Sequence, residues 1–592
     1  MKKNALLLIA FALSLASCST TTPSEEKVKL IEKRVDTYSV VDIMNPDVTP
    51  LVYDPQKWAE HSNKGTLTYY VHPNYPNVLY TTFEGYGKLL SGSIPSTYKY
   101  SFSDNTIIVK DDKDQSFFSA ILDIDKMQFK ISGKLSLGSL GMEVGDITGS
   151  LLADMIFETK IVVEPEDSYS TFCYDIFAKD FDLVTENNTL YAPLGLYDSV
   201  FGPSVSAYHI YDFERVVQYN TNIALAIPLG TADGSVVNKL TAYHEKNGMP
   251  YDLRLLDKAS LYQTLEYRYG LRDHRNIDSM SKYCSLLGYD ERLVAENDDE
   301  RCIAYFDLFA GLEDDHSGVN GLASWFGEKK ELVFRGQRSN ERKMLKSSLT
   351  TQRNNALGST PTNYGIDGNV YYSTSGKTAY FYFDSFIFDF NRYDPEKADE
   401  LWKTDSYFFF VHAFEEIKKH GGVENVIIDD SCNGGGTLGI AIKLLALISK
   451  NNYGNVYQYD VLDHSLSELY CQVDSNHDGK YDAEDVYGDD FNISILSSPV
   501  SFSCGNLFPV FAKYKGDATI IGQTSGGGEC TVESTYLPSG KAIQYSSNTI
   551  LCNYNEGKVI RGVELGATPD IEMPYYQFYD IDTLESVITN NI

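Results

Sequence analysis

The chain has 592 residues, too many for one hydrophobic core, so we expect two to four domains. An apolar share of 43%, with 44 Tyr and 30 Phe, excludes a disordered chain. The net charge of −32 argues against nucleic acid and anionic lipid surfaces as partners and favours solubility, cationic substrates and metal cations.

Residues 1–18 have the pattern of a bacterial lipoprotein signal peptide. A basic start, MKKN, precedes the apolar run ALLLIAFALSLA, which is too short to span a bilayer, and LASC follows, ending at Cys18. Small residues before a cysteine match a lipobox, whose cleavage leaves Cys18 as a lipidated N terminus. The alternative is an ordinary secretory signal with a chance cysteine. We expect a lipid-anchored protein of the bacterial cell envelope, outside the cytoplasm, with residues 19–60 as tether and linker.

Eight further cysteines follow Cys18, and no CxxC pair occurs among them, which argues against a zinc knuckle. The expected compartment permits disulfides, but one sequence does not reveal their pairing.

The next two regions differ in their hydrophobic period. Residues 61–245 are β-rich, with segments such as GTLTYYVHP, NTIIVKDDKD, QFKISGKLSL and KIVVEPEDS, and contain no catalytic constellation. Residues 246–368 begin with helical spacing, as in YDLRLLDKASLYQTLEYRYGL and CIAYFDLFAGL, and form a helical cap that reaches His316. A polar loop rich in Lys, Arg, Ser and Asn is expected from there to 368.

Residues 369–592 alternate strand and helix patterns, which predicts an α/β core within a multidomain α+β protein. Strands are expected at KTAYFYFDSF, NVIIDD and ATIIG, and helices at SYFFFVHAFEEIKKHGG, TLGIAIKLLALISK and NLFPVFAKY. In such cores the ligand site lies at the carboxyl ends of the strands.

The block IIDDSCNGGG places a glycine loop between a buried strand and a helix. Glycines let backbone N–H groups approach a ligand, and the helix N terminus adds positive partial charge. A phosphate loop would carry Lys after the glycines, whereas Thr437 and Leu438 stand there, so an oxyanion hole is the better functional interpretation. A purely structural turn is the alternative.

The block PVSFSCGN offers a nucleophile at the start of a helix. Ser503 would gain backbone donors for a tetrahedral intermediate, although a helix cap would also explain Ser501 or Ser503. Cys504 is a second candidate and would need its own base. His316 follows Asp314 and Asp315, and such acidic neighbours raise the proton affinity of an imidazole. An exposed loop histidine is the alternative.

Five blocks in order, LEDDHS, VIIDDSCNGGG, SFSCGN, IIGQTSGGG and GVELGATPDIEM, resemble the C-terminal-processing and tricorn family of serine peptidases. The resemblance covers residues 300 to 592 and implies a crotonase-like/ClpP-like β–α spiral. It implies Ser503 as nucleophile. Processing proteases use a lysine after the serine, but Gly528 stands there. The tricorn-like branch uses a histidine and an acid, which His316 and Glu564 match.

Two departures from the family pattern leave alternatives open. Asp315 precedes His316 where the tricorn-like branch has a serine, so Asp315 or Ser317 would support the histidine, and Glu529 competes with Glu564 as the acid. No PDZ-like module follows His316, which argues against recognition of free protein C termini. The expected oxyanion donors are the backbone N–H groups of Cys504 and of Gly435 or Gly436.

A second motif, DSNHDGKYDAED, has the spacing of an EF-hand loop with glycine at position six and Asp rather than Glu at position twelve. It predicts a structural Ca²⁺ site in an insertion, as opposed to a solvated turn. The expected ligands are Asp474, Asn476, Asp478, the Lys480 carbonyl, Asp482 and Asp485.

The sequence therefore predicts a serine peptidase that acts on peptides or proteins, needs no cofactor for catalysis and binds no nucleic acid. A non-enzymatic binding or scaffold lipoprotein on the same fold, or a serine esterase, are the rival hypotheses. Oligomeric state, physiological substrate and cleavage preference stay open.

Overall fold

A computed structural model of the chain describes most residues beyond the first 28. The described ranges are 29–35, 38–42, 59–61, 65–92, 94, 98–110, 116–133, 155–163, 170–173, 175–205, 207–213, 215–220, 236–320, 337–358, 366, 368–389 and 398–591. Cys18 and the predicted signal peptide lie outside them.

The N-terminal region is β-rich, as predicted. Its strands are β1 (Ile31–Val35), β2 (Tyr38–Asp42), β3 (Ala59–His61), β4 (Leu67–His72), β5 (Tyr75–Thr82), β6 (Lys99–Phe102), β7 (Thr106–Lys110), β8 (Ser116–Asp123), β9 (Gln128–Gly133), β10 (Met155–Val163), β11 (Ser170–Cys173), β12 (Val184–Glu186), β13 (Thr189–Pro193), β14 (Ala207–Tyr211) and β15 (Val216–Asn220). Within the described residues, three helices accompany them: α1 (Phe83–Ser91), α2 (Asp175–Asp180) and α3 (Leu194–Val205). The strands form sheets ordered β1-β4-β5-β13-β12, β11-β9-β8-β7-β6 and β14-β15-β2-β3.

A run of helices follows, also as predicted. Its members are α4 (Val236–Asn247), α5 (Tyr251–Arg268), α6 (Met280–Leu286), α7 (Tyr289–Arg292) and α8 (Asp298–Gly311), after which come the short strand β16 (Gly318–Asn320) and helix α9 (Gln337–Leu357). Helix α9 corrects the prediction of a polar loop up to residue 368. The segment has few apolar residues, but it contains no Gly or Pro, and Leu345 and Leu349 pack on one face into the core.

The C-terminal region has the predicted alternation of strands and helices. Its elements are β17 (Tyr371–Tyr372), β18 (Thr378–Tyr382), α10 (Ser406–His420), β19 (Asn425–Asp429), α11 (Leu438–Ile448), β20 (Gly454–Asp460), β21 (Leu466–Val473), β22 (Asn492–Ser497), α12 (Cys504–Lys515), β23 (Thr519–Gly522), β24 (Cys530–Tyr536), β25 (Ala542–Asn555), β26 (Lys558–Ile560), β27 (Ile571–Glu572) and α13 (Ile581–Asn591). Short 3-10 turns occupy Ala398–Lys403, Ala483–Asp485, Val563–Leu565 and Tyr575–Gln577.

The central sheet has the order β17-β18-β19-β22-β23-β27, and its strands from β18 onward are parallel. Helix α10 begins where the Asp405 side chain accepts hydrogen bonds from the Tyr407 and Phe408 N–H groups. Edge-to-face ring contacts join β18 to the helices, as between Phe381 and Phe410, because the positive ring edge favours the negative ring face. Because these strands are parallel, the loops that follow β19, β22 and β23 lie at one edge of the sheet. The loop after β19 contains the first glycine run (434–436), the loop after β22 contains the Ser503 turn, and the loop after β23 contains the second glycine run (526–528).

A second sheet packs beside the first and draws strands from distant parts of the chain. Its order is β10-β21-β20-β25-β16, with β24 and β26 also paired to β25. Met155 pairs with Val473 across β10 and β21, so the N-terminal region adds a strand to the core. The sequence did not predict this sharing, because the two strands are separated by some 300 residues.

The mixed α/β, multidomain organisation is confirmed, whereas the crotonase-like spiral stays a prediction. Eight cysteines in the described part of the chain are free thiols. Within the described residues, no helix is long and apolar enough to cross a bilayer.

Candidate active site

Ser503 stands at a strained turn between β22 and α12. Its backbone has φ 58° and ψ −125°, a region that residues with a Cβ rarely adopt. Such a conformation costs on the order of 1–3 kcal/mol and persists where the surroundings hold it in place. Here the Ser503 N–H donates to the Gly527 carbonyl at 2.9 Å, so the glycine segment after β23 fixes the turn.

The two glycine runs meet at this turn. Gly435 has φ +106°, and a Cβ there would lie 2.8 Å from the Cβ of Ser503. Gly528 has φ +94°, and a Cβ there would lie 2.9 Å from the Ser503 nitrogen. Both positions therefore need glycine for two reasons, backbone conformation and close approach.

The predicted oxyanion donors surround the Ser503 turn. The Gly435 N–H donates to Asn433 Oδ1 at 2.8 Å, so it is engaged within its own loop. Gly436 lines the same cleft as Ser503. Cys504 is the first residue of α12, where backbone N–H groups have no acceptor inside the helix.

The environment of the Cys504 thiol argues against a role as nucleophile. Its Sγ lies 3.2 Å from the Gly436 carbonyl oxygen. Burial raises the pKa of this thiol to about 12. It is therefore protonated at neutral pH, and a thiol of this kind is a poor nucleophile.

Strand β16 brings His316 to Ser503 from almost two hundred residues away. Gly318 pairs with Gln544 of β25, and the Gln544 side chain donates to the His316 carbonyl at 2.8 Å. The imidazole then packs against the ring of Phe502, with the ring centroids 4.7 Å apart. His316 and Ser503 line one cleft, although no hydrogen bond joins the imidazole to the Ser503 hydroxyl in this arrangement of the described residues.

Burial governs the electrostatics of His316, whose exposed fraction is 6%. Burial lowers its pKa below the usual 6.5; Asp314 and Asp315 oppose the shift, and Arg342 adds to it. Asp314 accepts hydrogen bonds from the His316 backbone N–H at 3.0 Å and from the Ser317 hydroxyl at 2.5 Å. Asp315 is paired with Arg342. The imidazole is thus neutral at pH 7, the form that can accept a proton.

The two candidate acids have different partners: Glu564 holds the glycine segment, and Glu529 is paired with basic side chains. Glu564 Oε2 accepts the N–H groups of Gly528 at 2.8 Å and Glu529 at 3.1 Å, and burial raises the pKa of Glu564. Glu529 pairs with His274 at 3.0 Å and Arg561 at 2.8 Å. Burial raises the pKa of Glu529, but hydrogen bonds from these two partners lower it below its usual value.

No hydrogen bond joins either acid to the imidazole in the described structure. His316 Nδ1 is buried and has no hydrogen-bond partner in the part of the chain that the structure describes. The choice between Glu564 and Glu529 therefore stays a prediction, and so does the support of His316 by Asp315 or Ser317.

Arg342 is a residue of the site that the sequence did not reveal. From α9 it donates to the carbonyls of Pro499 at 3.0 Å and Gly526 at 3.1 Å, and its guanidinium lies 4.1 Å from the Phe502 ring centre. It thereby joins the His316 loop, the Ser503 turn and the second glycine run. A basic residue in a segment taken for a polar loop carries no signal of such a role, because its partners lie 157 and 184 residues away.

The cleft around these groups has a volume of about 720 Å³. Cavities of this size accommodate small ligands or a few residues of an extended peptide. Ser503, His316 and Gly436 lie on its walls together with three basic side chains of α9.

The predicted calcium loop folds around its own side chains. Asp474 accepts the N–H groups of Asp478 at 3.1 Å and Gly479 at 2.9 Å, and Asp485 accepts that of Asp482 at 3.0 Å. Within the described residues, no group of three or more His, Cys, Asp or Glu side chains is arranged to hold a metal ion. Calcium binding stays a prediction.

Residues 397–573 match the family model of Peptidase family S41. The matched segment contains Ser503, both glycine runs and Glu564, whereas His316 precedes it. No curated protein matches the chain.

Three solved structures resemble parts of the chain at low identity. A putative peptidase from Parabacteroides merdae ATCC 43184 is 15% identical, with 57% of this chain and 96% of that chain covered and a TM-score of 0.39. Mature CPAF complexed with lactacystin is 13% identical, with 58% and 98% covered and a TM-score of 0.38. The photosystem II D1 C-terminal processing protease is 14% identical, with 33% and 42% covered and a TM-score of 0.24.

Proposed function

We propose that this protein is a serine peptidase that cleaves peptides or proteins through an acyl-enzyme on Ser503. The match of residues 397–573 to Peptidase family S41 supports peptidase chemistry. The observation that carries the assignment to Ser503 is its strained turn, held between two glycine runs in the same cleft as a buried neutral histidine.

In the proposed mechanism His316 accepts the proton of the Ser503 hydroxyl as Oγ attacks the scissile carbonyl carbon. The backbone N–H groups of Cys504 and Gly436 stabilise the negative oxygen of the tetrahedral intermediate. The intermediate expels the amine, which takes the proton from His316. Water then attacks the ester carbon while His316 takes a proton from it. The bond to Ser503 Oγ breaks, the acid is released, and His316 returns the proton to Ser503. A bound substrate would draw the hydroxyl and imidazole into hydrogen-bonding distance, as catalytic contacts often tighten on binding.

A peptide-library digest tests this function. Purified protein is incubated with the library, cleavage products are identified by mass spectrometry, and the Ser503→Ala variant serves as the blank. Cuts made by the native chain alone support the proposal. If neither protein cuts, the non-enzymatic binding hypothesis replaces it; if only ester analogues are hydrolysed, the esterase hypothesis does.

We further propose attachment to the cell envelope through a lipid on Cys18, on the basis of the lipobox in residues 15–18. Cells fed an alkyne fatty acid are expected to yield labelled protein, and the Cys18→Ala variant to yield none. Equal labelling of both would contradict the anchor.

The EF-hand spacing of residues 474–485 supports a weak structural Ca²⁺ site. Adding CaCl₂ to chelator-treated protein is expected to raise the melting temperature by about 2 °C or more, since a ligand that binds only the folded state stabilises it. Asp474→Asn should remove the shift, whereas Asp489→Asn, outside the loop, should keep it. The same shift with MgCl₂, or none with either salt, would contradict the site.

A further inference from the structure

One wall of the cleft is basic, in a chain whose net charge is −32. Arg342, Lys343 and Lys346 of α9 line the cleft together with Ser503. Among the described residues that line the cleft, Asp315 is the one carboxylate, and Arg342 already neutralises it. The two lysines therefore set the local charge.

Helix α9, which forms this wall, is anchored to the core by buried side chains. Leu349 and Arg353 are fully buried one and two turns beyond Lys346, on the same helical face. Arg353 makes two hydrogen bonds to Asp384, at 2.8 and 2.7 Å, and its guanidinium lies 3.7 Å from the centre of the Tyr382 ring. These contacts anchor the helix to the central sheet and hold Lys346 towards the cleft.

No carboxylate in the described part of the chain neutralises these two lysines. Neither Lys343 nor Lys346 forms an ion pair with any residue that the structure describes, whereas Arg342 and Arg353 of the same helix do. Lys346 Nζ lies 3.8 Å from where a Cβ would stand on Gly434, so its charge lies at the first glycine run, close to the nucleophile. A cation held in a cleft without a partner attracts an anion from solution.

We propose that the cleft selects peptides with an Asp or Glu side chain near the scissile bond, whose carboxylate is bound by Lys343 and Lys346. This inference rests on the proposed peptidase function. The negative chain repels such peptides elsewhere on its surface, so the basic wall would also direct them to Ser503.

Matched substrates test the charge preference. In the best-cleaved library sequence, each residue within three positions of the cut is changed to Glu or to Gln, and kcat/KM is measured for each pair. The best Glu peptide is expected to exceed its Gln partner by about tenfold, since two partly solvated charge pairs each contribute a few-fold. The ratio should fall towards one in 0.5 M NaCl, because salt screens exposed charges.

Variants of the wall show whether the lysines cause the preference. The Lys343→Gln/Lys346→Gln double variant is expected to bring the ratio of kcat/KM between the Glu and Gln peptides towards one, and Lys346→Glu to reverse the preference. Lys419→Gln, an exposed lysine on α10, is the matched control and should keep it. Thermal melting of each variant confirms that it is folded.

The outcomes separate this inference from the proposed function. Cleavage with equal rates for Glu and Gln peptides overturns the inference and leaves the peptidase standing. An effect confined to peptides with a free C-terminal carboxylate, and absent from their amides, also overturns it. If no peptide is cleaved, the peptidase function fails, and fluorescence anisotropy then decides: tighter binding of the Glu peptide that requires both lysines supports the inference, and equal binding overturns it.

Discussion

The Ser503→Ala variant is expected to lose peptide hydrolysis by roughly 10⁴-fold or more, because the acyl-enzyme cannot form without the hydroxyl. It should also lose labelling by a fluorophosphonate probe. Alanine has one atom fewer than serine and tolerates the same backbone, so the strained turn between the glycine runs is kept. The measurements are kcat on a quenched fluorogenic peptide and in-gel fluorescence of the probe.

The Cys504→Ala variant is the control for this experiment. It keeps the backbone N–H at the start of α12 and removes only a thiol that burial keeps protonated. It should therefore still be labelled. Labelling that survives in Ser503→Ala and disappears in Cys504→Ala would assign the nucleophile to the thiol and refute the site.

The His316→Ala variant is expected to lose activity by a similar factor, since a serine hydroxyl is a weak nucleophile without a base. The His420→Gln variant, at the exposed C-terminal end of α10, is the matched control and should retain full activity. Thermal melting separates a catalytic loss from unfolding. Full activity of His316→Ala would exclude the imidazole as the base.

The pH dependence of the native protein gives a second readout of His316. The base acts in its neutral form, and burial lowers its pKa below 6.5. Activity should therefore be fully present at pH 7 and fall only as the pH drops below 6.5, through the pKa of the folded state. A kcat/KM profile with its acidic limb above pH 7 would contradict a buried neutral imidazole.

Local patterns predicted the elements that carry the site. NVIIDD, TLGIAIKLLALISK and ATIIG form β19, α11 and β23. They could be predicted because the hydrophobic period of a segment and the glycines that end it are local signals, each readable within a few residues. Once parallel strand order is assumed, the glycine runs and Ser503 are expected at one edge, and the structure has them there. Helix α9 was missed, because its apolar face is narrow and its buried cation resembles a surface residue in sequence.

Side-chain partnerships could not be predicted in this way. The sequence offered Glu564 and Glu529 as the acid. In the folded chain Glu564 accepts a hydrogen bond from the Gly528 N–H, whereas Glu529 is paired with His274 and Arg561. Arg342 contacts the loops of Asp315, Pro499 and Gly526, and the last two lie 157 and 184 residues away. Such contacts depend on how the elements pack, so neither composition nor motif spacing predicts them.

The sequence alone determined the charge of the chain, which follows from composition. It also determined the alternation of strands and helices and the glycine runs that follow the strands, because these depend on residues close together in sequence. Packing alone brought His316 to the Phe502 ring, turned the basic face of α9 to the cleft and added β10 to the core sheet. These relations join residues that are more than 150 positions apart. Burial of apolar surface brings them together, because this driving force is non-directional and does not depend on separation along the chain.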